Sequence, residues 1–111
     1  MDTARIQNEV ATKIAAYNDM CRLNVMNYLT TRGVLSLDAV VIADIYTAVR
    51  DFKDFTKDND PYGEHDFGSI TVDGHKVFWK IDYYDQQLQY GSEPLDPNCR
   101  RILTVMLAEE Y

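Results

Sequence analysis

Asp73-Gly74 divides two runs of β-forming residues, SITV before it and HKVFWKIDYY after it, and no other feature of the chain restricts its fold so tightly. Asp and Gly both tolerate the positive φ of a two-residue type I′ turn, and such a turn leaves the flanking strands a single register. Val72 then faces His75, Thr71 faces Lys76, Ile70 faces Val77, Ser69 faces Phe78, Gly68 faces Trp79 and Phe67 faces Lys80. Side chains alternate across a strand, so Ile70, Val72, Val77, Trp79 and Ile81 share one face, which this pattern assigns to the core. Lys76, Lys80 and Asp82 share the other with Phe67 and Phe78, a side apolar enough to be partly covered or to bind something. Extending the ladder backward puts His65 opposite Asp82 on this second face.

Helical periodicity marks two further segments. Ile6, Val10, Ile14, Tyr17 and Cys21 recur at three or four, with Asp2 or Thr3 as N-cap, and predict an amphipathic helix over 4–22. Leu37, Val41, Ile45, Ala48, Val49, Phe52 and Phe55 repeat likewise behind the N-cap Ser36, predicting a second helix to about Thr56 with a charged, solvated opposite face. Between them LNVMNYLTT reads as a short strand from about 24 to 30, broken by Arg32-Gly33. The turn-rich EPLDPNCRR leads into RILTVMLAEEY, whose near-continuous apolar run and Ile-Leu-Thr-Val content favour a central strand over a short helix. The expected architecture is α+β: two helices packed on one face of a mostly antiparallel sheet of about four strands, near 24–30, 66–72, 75–83 and 101–108. A chain of 111 residues has room for one such domain.

Charge narrows the functions. Eighteen Asp and Glu against eleven Lys and Arg give a net charge of −7, which repels phosphate backbones and anionic membrane surfaces. Direct nucleic-acid or membrane binding is therefore disfavoured, whereas a basic surface on a protein partner is attracted. Cys21 and Cys99 have no metal-ligand spacing and read as reduced thiols of a cytoplasmic protein, and no run is apolar and long enough to be a signal or a membrane span.

The densest chemistry lies in DNDPYGEHDFGS, residues 58 to 69. Its opening resembles a calcium loop, but Tyr62 and Ser69 stand where ligands are needed and a strand, not a helix, follows. A magnesium-type site on Asp58, Asp60, Glu64 and Asp66 is harder to dismiss, since such ions need few carboxylates, although few cations stand near to meet a phosphate. His65 beside Asp82 has the form of an oriented general base, with no evident nucleophile to activate. The conformational reading needs no ligand or cofactor: Asn59-Asp60-Pro61 starts a turn, Gly63 supplies a positive φ and the aspartates cap backbone N–H groups. It leaves unexplained why six acids concentrate between Asp51 and Asp66. Tyr62, Tyr83, Tyr84 and Tyr90 lie close by in sequence, and tyrosines beside acids suit a protein interface.

The combination of NDPYGEHDFGSI, VFWKIDYYD and RILTVMLAEEY resembles a family of short bacterial proteins described only as a domain of unknown function, with the pattern NDPxGEHDFG, then FWKIDYYD, then a terminal LTxMLAxEY. The likeness runs from about Thr30-Thr31-Arg32-Gly33-Val34 to the end, and residues 1 to 29 are less characteristic. It implies a bacterial, phage or plasmid setting and transfers no activity. Size, charge and that setting together suggest a non-enzymatic interaction protein, an anti-CRISPR-like inhibitor or DNA mimic that occupies the basic nucleic-acid-binding surface of a host defence complex. Asp51, Asp54, Asp58, Asp60, Glu64, Asp66, Asp82 and Asp85 would form its surface. The alternative is a metal-assisted hydrolase with Asp58, Asp60, Glu64 and Asp66 as ligands and His65 as base. A homodimer through a sheet edge or the tyrosines is also compatible with the sequence.

Overall fold

The computed structural model describes residues 3–111, so Asp2, one of the two candidate N-caps, lies outside it. The chain forms α1 (Thr3–Leu23), a 3-10 turn (Val25–Asn27), β1 (Leu29–Thr30), α2 (Arg32–Leu35), α3 (Ala39–Arg50), β2 (Phe67–Val72), β3 (His75–Tyr84), β4 (Arg100–Leu107) and a closing 3-10 turn (Ala108–Glu110). The four strands lie in the order β1-β4-β3-β2, with β1 parallel to β4 and the other pairings antiparallel. The fold is α+β, as the residue pattern implies.

The Asp73-Gly74 turn sets the β2–β3 pairing register by register, from Phe67 opposite Lys80 to Val72 opposite His75. Asp73 at φ 51° and Gly74 at φ 79° both occupy the left-handed region that a type I′ turn requires. The core follows from this parity. Val77, Trp79 and Ile81 of β3 meet Leu103 and Val105 of β4, and Val34, Ile45 and Val49 from α2 and α3 close over them. Across the sheet, Phe67, Phe78 and Tyr111 pack ring against ring, and Lys80 Nζ donates to Asp82 at 2.8 Å.

Three segments depart from the sequence reading, each because a tertiary contact outweighs local preference. The strand expected over 24–30 is a 3-10 turn followed by two strand residues, for the chain curls so that the Tyr28 hydroxyl donates to the Arg22 carbonyl. Arg32-Gly33 does end the strand, and it also begins a helix the sequence did not suggest, α2, whose start is capped from afar: Glu110 accepts from the Thr31 hydroxyl at 2.6 Å and the Gly33 N–H at 3.0 Å. Ser36 is no N-cap; its hydroxyl donates to the Gly33 carbonyl at 2.7 Å, and Asp38 takes the N-cap position of α3. That helix stops at Arg50 rather than near Thr56, which frees Phe52 and Phe55 to lay their rings against Trp79, at 5.5 and 6.1 Å between centroids.

Gly68 is required by a close approach. A Cβ there would stand 2.2 Å from Trp79 Nε1 and 2.5 Å from Cε2, and the fully buried indole has nowhere to go. Gly68→Ala is therefore expected to destabilise the fold by about 1–3 kcal/mol in urea denaturation, the range for overpacked cores. Gly91→Ala, whose Cβ would meet nothing closer than 3.9 Å, should fall well below that and serves as the comparison.

Candidate functional site

The inward side of α1 differs from the expected stripe. Ile14, Ala15, Asn18 and Arg22 are its buried residues, whereas Tyr17 is 53% exposed. The face is thus turned by about one residue, and two polar side chains lie on it. Both had a signal in the sequence, since Ile14, Asn18 and Arg22 follow one another at intervals of four.

Asn18, fully buried, joins three segments. Its Nδ2 donates to the Glu64 carbonyl at 2.9 Å and to Tyr83 Oη at 2.8 Å, while its Oδ1 accepts from Arg101 Nε at 2.7 Å. The Arg101 guanidinium also lies over the rings of Tyr17 and Tyr83, 5.3 and 5.2 Å from their centroids. Burial pushes the Tyr83 hydroxyl up to about 12, which keeps it a neutral partner in this seam.

Asp60 turns its carboxylate inward, where it accepts the backbone N–H of Glu64 at 3.1 Å and of His65 at 3.2 Å. The loop before it is braced by Asn59, whose Oδ1 accepts from the Thr56 N–H at 2.8 Å and whose Nδ2 donates to the Asp54 carbonyl at 2.7 Å. The capped-turn reading of Asp58 to Gly63 fits this geometry, and Asp60 is its linchpin rather than an outward charge.

His65 does not meet Asp82. The ladder begins at Phe67, and His65 takes φ 57°, which swings its side chain out of the strand alternation toward α1. There its Nδ1 donates to Asp19 Oδ1 at 2.8 Å, because a carboxylate can only accept. Its Nε2 stands 3.8 Å from Asp60 Oδ2, and its ring stacks on Phe55 at 3.8 Å and 2°. Asp82 pairs instead with Lys80 on the far face of the sheet. Neither Asp19 nor Phe55 could be assigned to His65 beforehand, since the first contact depends on how α1 crosses the motif and the second on the chain leaving α3 for Trp79.

The remaining acids spread rather than converge. Asp54 and Asp58 are exposed, Asp51 holds Arg50 in a two-point pair at 2.9 and 3.1 Å, and Asp85 accepts the Gln89 N–H at 2.9 Å. Glu64 and Asp66 are half-buried near one another, and desolvation first, then neighbouring carboxylates, push both above the ordinary carboxylate range. Among the described residues no three His, Cys, Asp or Glu side chains come together as metal ligands would, so Asp58, Asp60, Glu64 and Asp66 form no such group. Nor, among them, is any helix long and apolar enough to cross a membrane.

These bonds tie together stretches that carry the sequence motifs: residues 58–68, the FWKIDYYD strand and, through Arg101, the RILTV strand. The family described as "Protein of unknown function (DUF3768)" matches residues 30–110. The chain belongs to the DUF3768 family. No curated protein and no solved structure matches it. Within the DUF3768 region stand Phe55, Asp60, His65, Tyr83 and Arg101, while their partners Asn18, Asp19 and Arg22 lie on α1, before the matched residues.

The raised carboxyls give the DUF3768 motif a pH signature. A carboxyl whose folded pKa lies above its unfolded value binds its proton more tightly in the native state, so acidification from neutrality toward the ordinary carboxylate range stabilises the fold through that group. Asp66→Asn is expected to raise the midpoint of thermal unfolding at neutral pH and to reduce the gain on acidification. An unchanged or lower midpoint at neutral pH would contradict the desolvated placement of Asp66.

Proposed function

We propose that this chain is a protein-interaction module that docks its acidic α3–β2 connection on a basic surface of a protein partner. The observation that carries the reading is the construction of that connection. The side chains of Thr56, Asn59 and Asp60 tie the loop to itself through five hydrogen bonds to backbone groups, while Asp54 and Asp58 stay exposed and Tyr62 stands 79% exposed. A loop held in place before binding loses little entropy on docking. Exposed carboxylates supply long-range attraction to a basic patch, and a protruding tyrosine supplies buried area with a polar tip.

The reading extends to an inhibitor that fills a surface built for nucleic acid in a bacterial or phage setting, acting in the cytoplasm, where Cys21 and Cys99 would stay the free thiols they are here. Net charge of −7 supports a partner that is basic and argues against nucleic acid or an anionic membrane as the ligand itself. His65 supports the non-enzymatic side of the reading. Its Nδ1 is bonded to Asp19 and its Nε2 stands 3.8 Å from Asp60, so both ring nitrogens lie beside carboxylates of the scaffold.

Affinity capture from a bacterial lysate tests this, with wild-type protein and with a variant carrying Asp54→Ser, Asp58→Ser and Tyr62→Ala. The wild type should retain a basic partner whose binding weakens as salt rises. The triple variant should lose it, and Tyr62→Ala alone should weaken the purified pair by roughly thirtyfold, about 2 kcal/mol. Retention of every partner by the triple variant at unchanged salt sensitivity would overturn the reading.

A further inference from the structure

A cavity of about 430 Å³ opens between the last turn of α1, the end of α3 and the residues that follow it. Arg22, Arg50, Lys53 and His65 line it, with Phe52 and Phe55 forming a wall. The acids facing it are Asp19 and Asp51, so cations predominate in a chain whose net charge is −7. Asp51 is taken up by Arg50, and Asp19 by His65 Nδ1 at 2.8 Å and by Arg22 Nη2 at 3.0 Å.

Arg22 is the decisive group. It is 5% exposed, and among the described residues nothing accepts from its Nε or Nη1. The rings of Phe55 and Trp79 lie 5.2 Å from its central carbon, within reach of a cation–π attraction. The N–H donors in its plane are a separate requirement, and a buried charged donor without an acceptor is destabilising. An oxyanion matches that edge, since the fork of an arginine engages two oxygens at once. Phe55, which packs over the guanidinium and stacks on His65, lines the same cavity from non-helical chain beyond the end of α3, and an anion would reach the enclosed donors by displacing its ring.

We propose that this cavity binds a small oxyanion, a phosphate or carboxylate group, on the fork of Arg22, with Lys53 at its mouth and the Phe52–Phe55 pair as its wall. The cavity borders the connection that docks on a protein partner but uses other side chains, Arg22 and Lys53 rather than Asp54, Asp58 and Tyr62, so each reading can fail without the other.

Calorimetric titration of the full chain with inorganic phosphate and with formate, at matched ionic strength, tests the proposal. At least one anion should bind saturably; a preference for phosphate assigns a tetrahedral head group and a preference for formate a planar one. Lys53→Glu should weaken binding about tenfold or more, whereas Lys57→Ala, exposed and outside the lining, should leave it unchanged. Arg22→Lys keeps the charge, removes the fork and should abolish saturable binding; if circular dichroism shows that this variant does not fold, Lys53→Glu decides. No saturable heat with either anion, or equal weakening by Lys53→Glu and Lys57→Ala, overturns the site.

Discussion

The fully buried indole of Trp79 holds the separate parts of this molecule in one arrangement. It lies against Gly68 across the hairpin, under Phe52 and Phe55 from the chain beyond α3, and beneath the Arg22 guanidinium from α1. A side chain of that size fills the centre of a close-packed core, so each neighbour takes its place from the same ring. His65 is placed at second hand: Phe55 stacks on it, and Phe55 is where it is because of Trp79.

Around this apolar centre runs a polar seam that joins α1 to the rest of the fold. Asn18 satisfies a carbonyl, a tyrosine hydroxyl and an arginine at once, and Asp19 receives both His65 and Arg22. A buried network with its partners in place specifies one geometry, because any slip leaves desolvated groups unpaired. Among the described residues Arg22 Nε and Nη1 break the pattern, as does the indole Nε1 of Trp79, and Arg22 lines the cavity between α1 and the end of α3.

The hairpin could be read residue by residue because its information is local: two residues set the turn, the turn sets the register and alternation sets the faces. β4 was legible for a related reason, since a strand between two others buries both faces and so reads as a continuous apolar run. The end of α3 was not legible. Phe52 and Phe55 fit the helical spacing, yet both rings gain more by leaving the helix to reach Trp79. The pairing of His65 failed at one dihedral angle, for a positive φ at a histidine carries no sequence mark and reverses the side to which the ring points.

The sequence by itself determined the β2–β3 hairpin, its register, its core face and the self-capped turn that displays Asp58 and Tyr62, because these rest on neighbours along the chain and on the two-residue period of a strand. Tertiary structure alone decided which acids are surface and which are scaffold. Asp60 turned inward to hold the backbone of Glu64 and His65, Asp82 went to Lys80 behind the sheet, and Asp19, unremarked in the sequence, became the partner of His65. The physical reason is that a carboxylate's role depends on which donor reaches it: a histidine 46 residues away for Asp19, backbone groups that only the folded turn presents for Asp60, and for Asp82 the lysine two residues back on its own strand.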